Sequence, residues 1–153
     1  MNVFKVIFEV KELKNDFIIS IVMGVVLLML IHYFNLNFVF HNIYENLEVI
    51  ITISVTMTGF LITSLTILLV FPENNRIKFI KKHTGFIYIF YAFILSIILF
   101  ITVSILSFAL KILISFKSYF FLYLLIIIFS WAIVSLFRCI WLLKKMIDIL
   151  FLE

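Results

Sequence analysis

ENLEVIITISVTMTGFLITSLTILLVF, Glu45 to Phe71, is the stretch on which the reading of this chain turns. From Val49 to Phe71 no residue is charged, and about 20 apolar residues are enough to cross a bilayer at 1.5 Å per residue. The same stretch carries five threonines, two serines and a glycine. At 100° per residue, Glu45, Glu48, Thr52, Thr56, Gly59, Thr63 and Thr66 fall within an arc of about 80°. From Thr52 onward the steps alternate four and three, a seven-residue repeat. Ser54, Thr58 and Ser64 lie off that face. The stretch is therefore expected to be a membrane helix with one hydroxyl-rich flank ending at two carboxylates.

The rest of the chain supports a membrane setting. Of 153 residues 66% are hydrophobic and 13% charged, with a mean hydropathy of +1.33. A water-soluble globule of this size leaves too much of its area exposed to hide that many apolar side chains. Four spans are expected, at about 17–34, 47–71, 86–110 and 119–143. Helix is the expected state of each, because hydrocarbon offers the backbone no hydrogen-bond partners. The first lacks a small-residue cleavage pattern after it and reads as a span, not a cleaved leader. The fold class expected is an all-α membrane bundle of four transmembrane helices with an amphipathic N-terminal helix.

Orientation follows from Lys and Arg. Lys5, Lys11 and Lys14, then Arg76, Lys78, Lys81 and Lys82, then Arg138, Lys144 and Lys145 make ten basic residues on one side. Lys111 and Lys117 are the two on the other. Both termini and the basic loop are thus expected to be cytoplasmic, in a multi-pass protein of the cell inner (plasma) membrane. Residues 1–16 place Lys5, Glu9, Glu12 and Asp16 on one helical stripe with apolar residues roughly opposite, an amphipathic interfacial helix. Residues 17–143 form the membrane domain and 144–153 a short cytoplasmic tail.

Two readings fit the hydroxyl flank. Small residues at heptad spacing let helix backbones approach closely, as in a dry packing seam. Alternatively, several copies of the helix surround an aqueous path, lined by Thr52, Thr56, Gly59, Thr63 and Thr66, with Glu45 and Glu48 at its outer mouth. Milder small-residue faces occur at Ser20 and Gly24, at Ala92, Ser96 and Ser107, and at Ala132, Ser135 and Cys139. These read as helix packing.

Few residues offer chemistry. The middles of the spans carry no charge, which argues against proton-coupled transport. Arg138, beside Trp141, reads as a snorkelling interfacial residue or a lipid-phosphate contact. Arg76, Lys78, Lys81 and Lys82 are candidates for anionic lipid, a small signalling ligand or a cytoplasmic partner protein. His41, Glu45 and Glu48 share a helical face if helix begins that early, but lack a clear fourth ligand apart from His32. A solvated rim is the expected state, and neither metal nor cofactor is assigned. No nucleophile, Walker or zinc-hydrolase motif is present, and no platform for duplex nucleic acid is expected. The single cysteine, Cys139, excludes an intramolecular disulfide.

TGFLITSLTILLVFPENNRIKFI, Thr58 to Ile80, places a glycine and a hydroxyl-bearing apolar helix before a short polar loop with Arg and Lys. Over Gly59 to Ile80 this resembles small multi-span membrane effectors of bacterial anti-phage defence systems. That resemblance implies a protein that opens a channel or damages the membrane when a cytoplasmic sensor or signal-producing enzyme acts. It implies no particular residue roles here. The function expected is a non-enzymatic, self-associating membrane effector that forms or gates an ion-conducting pore. The alternative is a membrane anchor subunit recruiting a soluble partner.

Overall fold

A computed structural model describes residues 11–33, 37–70, 84–112 and 119–151, all of them helical except Asn46. The described residues form five helices: α1 (Lys11–Tyr33), α2 (Asn37–Glu45), α3 (Leu47–Val70), α4 (Thr84–Ile112) and α5 (Tyr119–Phe151). Ile, Val and Phe are mediocre helix formers in water. In hydrocarbon every backbone group must be satisfied within the segment, and helix does this. Among the described residues three stretches are long and apolar enough to cross a membrane: Leu47–Val70, Tyr88–Ile112 and Phe120–Lys144. The described residues are thus helical apart from Asn46, and the chain has the make-up of a multi-pass membrane protein. The apolar run in α1 is the shorter Ile18–Leu30.

Several boundaries differ from the sequence reading. Residues 11–16, assigned to a separate amphipathic helix, continue into α1 without a break; residues 1–10 lie outside the described region. The connection before the second span contains α2, which no apolar run of spanning length announces. Asn46 joins α2 to α3. Its backbone N–H and side-chain amide both donate to the Asn42 carbonyl, at 3.0 and 2.8 Å, and its own carbonyl accepts from Val49 N–H at 3.0 Å. With the backbone groups at the junction largely satisfied, one residue suffices for the turn. α3 is described as far as Val70, and residues 71–83 lie outside the described region. α5 runs through most of the supposed tail, to Phe151.

The helices pack as a row, α3 on α4, α4 on α5 and α5 on α1. Among the described residues, α1 and α3 make no comparable contact with each other, so both are edge helices. α3 packs through Leu47, Ser54, Leu61, Ser64 and Leu68, which are buried, with Ile50 and Met57 partly buried between them. These seven positions alternate three- and four-residue steps, the spacing of a left-handed helix seam. α4 holds the centre, burying Ala92, Phe93, Ser96, Phe100, Val103 and Ser107 among others.

The α4–α5 seam contains a small polar cluster. Ser96 Oγ–H donates to Ser135 Oγ at 2.6 Å, and Cys139 Sγ–H donates to Ser96 Oγ at 3.5 Å. With Ala92 and Ala132 also buried, the small-residue faces of these two spans are packing faces. On the α1–α5 seam, Ser20 and Gly24 are buried. A Cβ added at Gly24 would stand 3.3 Å from Ile127 Cγ1 and 3.4 Å from Ile127 Cα. The missing side chain is what lets α1 lie this close to the α5 backbone. Outward-facing side chains are large and apolar, among them Val55, Phe60, Ile67, Ile105, Phe108 and Phe137. Such a surface is suited to lipid and would drive aggregation in water.

Candidate functional site

The hydroxyl flank of α3 lies on the side of the helix turned away from the rest of the protomer. Thr52, Thr56, Gly59, Thr63 and Thr66 are all exposed. Their mean direction is about 180° around the helix from the packed seam of Leu47, Ser54, Leu61 and Leu68 at 100° per residue. The five residues do share one face, as their spacing requires. That face meets no other helix of its own chain: among the described residues, a Cβ added at Gly59 would find no heavy atom within 4 Å.

The threonine hydroxyls are satisfied within the helix. Thr52 Oγ1 donates to the Glu48 carbonyl, Thr56 to Thr52 and Thr66 to Ile62, at 2.8, 2.8 and 2.9 Å, and Thr63 donates to Phe60 at 2.8 Å. A hydroxyl left unbonded in an apolar medium costs several kcal/mol, roughly 4–8 on the water-to-cyclohexane scale. Back-bonding removes that cost, so the face tolerates either lipid or a dry neighbour. The remaining lone pairs of each oxygen stay available as acceptors.

At the N-terminal end of α3 each carboxylate has a side-chain partner. Glu48 Oε1 accepts an ion-paired hydrogen bond from Lys111 Nζ at the end of α4. Glu45 Oε1 lies 3.1 Å from His41 Nε2, one turn earlier on α2. The pairs split the His41–Glu45–Glu48 set between two partners. Among the described residues no group of three His, Cys, Asp or Glu side chains is arranged to hold a metal. Lys111 was the residue missed in the sequence. Its signal is topological, since an antiparallel neighbour of α3 must end at the level where α3 begins.

Near the opposite end of the membrane helices, Arg138 places its guanidinium 5.7 Å from the centre of the Trp141 ring. The stacked cation sits three residues from the aromatic, a helical neighbour. Arg76, Lys78, Lys81 and Lys82 lie outside the described residues. The side chain of His32 is likewise not described.

Compared with protein-family models, with curated proteins and with solved structures, the chain matches none.

Proposed function

We propose that this chain is a four-span membrane effector whose copies associate through the outer face of α3 and thereby form or gate an ion-conducting path. Both termini and the basic loop lie on the cytoplasmic side, where ten of the twelve basic residues fall. The protein is non-enzymatic and sits in the inner (plasma) membrane. Its trigger is a small ligand or a partner protein acting from the cytoplasm, as in the anti-phage effectors it resembles.

One observation carries this reading. The most threonine-rich face of any described helix is on an edge helix, directly opposite that helix's own packing seam, with open space over Gly59. Helix association in lipid has no hydrophobic drive and rests on close backbone approach, which small residues allow. A second copy presenting the same heptad-spaced face would fill the space. The Glu48–Lys111 pair cancels one of the two carboxylates at the outer mouth, so cation attraction there rests on Glu45.

A second reading is favoured by the back-bonded threonines. With their donors already used, the same face suits a dry seam in a membrane anchor that conducts nothing. Conductance of purified protein in planar bilayers separates the two. Under the channel reading, current appears with the activating partner present, and Thr56→Trp or Thr63→Trp alters it without preventing membrane insertion. Silence under every activating condition, together with intact oligomers, establishes the anchor.

A further inference from the structure

Charge is distributed differently at the two ends of the row. Where α3 begins, Glu48 of α3 pairs with Lys111 of α4. At the other end the charged positions are staggered. α3 carries no charge from Val49 to Val70, and the apolar stretch of α4 starts at Tyr88. α1 is charged up to Asp16, and α5 carries Arg138 inside its apolar stretch. From Asp16 to His32 α1 rises about 24 Å, whereas α3 rises about 33 Å from Glu48 to Val70. The hydrocarbon layer of a bilayer is about 30 Å thick.

Contacts between neighbours fix the levels of these residues. Gly24 of α1 lies against Ile127 of α5, and Met29 and Tyr33 share a groove with Tyr123, so α1 and α5 run antiparallel. Ser96 of α4 bonds with Ser135 of α5. Each is sixteen residues from the facing helix end, Ile112 or Tyr119. The six-residue connection between those ends spans at most about 25 Å, which only an antiparallel pair allows. α3 and α4 are antiparallel by the Glu48–Lys111 pair at the start of one and the end of the other. Counting residues from these contacts puts Asp16 level with Ser135, Ser96 and Thr63, to within about one turn. Val70 is seven residues beyond Thr63, about 10 Å, and Arg138 falls about 6 Å short of Val70. The helices form a row, so no bundle interior shelters a charge at the level of Asp16. Asn15, Ile18 and Ile19 beside it are exposed.

We infer that the protein thins the bilayer along its α1 edge, drawing the lipid headgroups of one leaflet in to the level of Asn15, Asp16 and Arg138. On the orientation proposed above this is the cytoplasmic leaflet. Charge in the hydrocarbon is costly, and a bilayer meets a short span by thinning beside it. The Arg138 guanidinium, 5.7 Å from the Trp141 ring, extends the headgroup level from α1 to α5. Beside α3 the same leaflet keeps its full depth. The inference rests on α1 crossing the bilayer, and on nothing about conduction or association of copies.

Nitroxide depth measurements on the full-length protein in phosphatidylcholine vesicles test this. In a Cys139→Ala background, labels go on Ile19→Cys and Phe60→Cys, which lie at one level on α1 and α3 and are both about half exposed. A second pair, Leu30→Cys and Val49→Cys, also exposed, shares a level near the opposite end. Collision with oxygen against a water-soluble nickel complex reads the depth of each. The Ile19 label should sit about 5 Å or more nearer the headgroups than the Phe60 label, while the Leu30 and Val49 labels match. Asp16→Leu combined with Arg138→Leu should close at least half of the Ile19–Phe60 gap. Equal depths at Ile19 and Phe60 overturn the inference, as does a gap that the double variant leaves unchanged. A Leu30–Val49 difference as large as the first gap overturns it too, because it marks a tilted or non-spanning α1 in a bilayer of even thickness.

Discussion

Gly24 and Gly59 sit on the two edge helices of the row, near the middle of each, and their surroundings are opposite. Gly24 faces its own chain, with Ile127 so near that a methyl group would crowd it. Gly59 faces away, over space that nothing described in the chain enters. Both lie among small or hydroxyl-bearing neighbours at helical spacing. In lipid such faces are where helices approach most closely, because apolar bulk gives no preference for a neighbour over an acyl chain. One face is filled within the protomer. The other meets no described part of its own chain, and our proposal assigns it to a second copy.

That contrast can be broken in graded steps. The largest effect is expected from Gly24→Leu, which drives a side chain into the α5 backbone at Ile127. Overpacking of this kind costs about 1–3 kcal/mol, and the close Cα makes the upper end appropriate. Equilibrium unfolding in mixed micelles should show it. Gly59→Leu should do the reverse, leaving protomer stability within about 0.5 kcal/mol of the parent while weakening association about tenfold or more. Förster transfer between labelled copies diluted in lipid would measure it. If Gly59→Leu instead destabilises the protomer, its face is already occupied by the chain's own helices.

A smaller effect is expected at the α4–α5 seam. Ser135→Ala removes the acceptor of the Ser96 hydroxyl and should cost about 0.6–2 kcal/mol, the range for hydrogen bonds between membrane helices. The same unfolding assay reads it, and no change in association should accompany it. Smallest of all in stability is Lys111→Met. The pair it forms with Glu48 is exposed on both sides, so unfolding should be unchanged within error. Its readout lies elsewhere. Freed of its partner, Glu48 should raise cation preference in single-channel reversal potentials if the path runs along α3. An unchanged preference would place the path away from Glu48.

The class of protein was legible from composition, and the three long helices Leu47–Val70, Tyr88–Ile112 and Phe120–Lys144 from uninterrupted apolar length. The sharing of one face by Thr52, Thr56, Gly59, Thr63 and Thr66 was legible too, since it follows from helical geometry alone. The direction of that face was not. α3 carries two seven-residue repeats at once, the threonine set and the set Leu47, Ile50, Ser54, Met57, Leu61, Ser64 and Leu68. Periodicity states which residues lie together and is silent on what they meet. In water hydrophobicity would decide between the two faces, but in lipid both are acceptable outward. Serine also misleads in this setting, because Ser54 and Ser64 were set aside as off the stripe and are buried in the true seam. α2 escaped notice because nine residues ending in a single-residue junction leave no long run to detect. The Glu48–Lys111 pair needs the helix order, which emerges only from packing.

Cysteine cross-linking along α3 in native membranes tests the association most directly. In a Cys139→Ala background, single cysteines at Thr52, Thr56, Gly59, Thr63 and Thr66 should give oxidised dimers, while Ile53, Leu69 and Ile105 should give few. A yield that follows the alternating three- and four-residue steps would place two copies of this face together. Equal yields at all positions, or dimers only at Ile105, would show that the threonine face of α3 meets lipid.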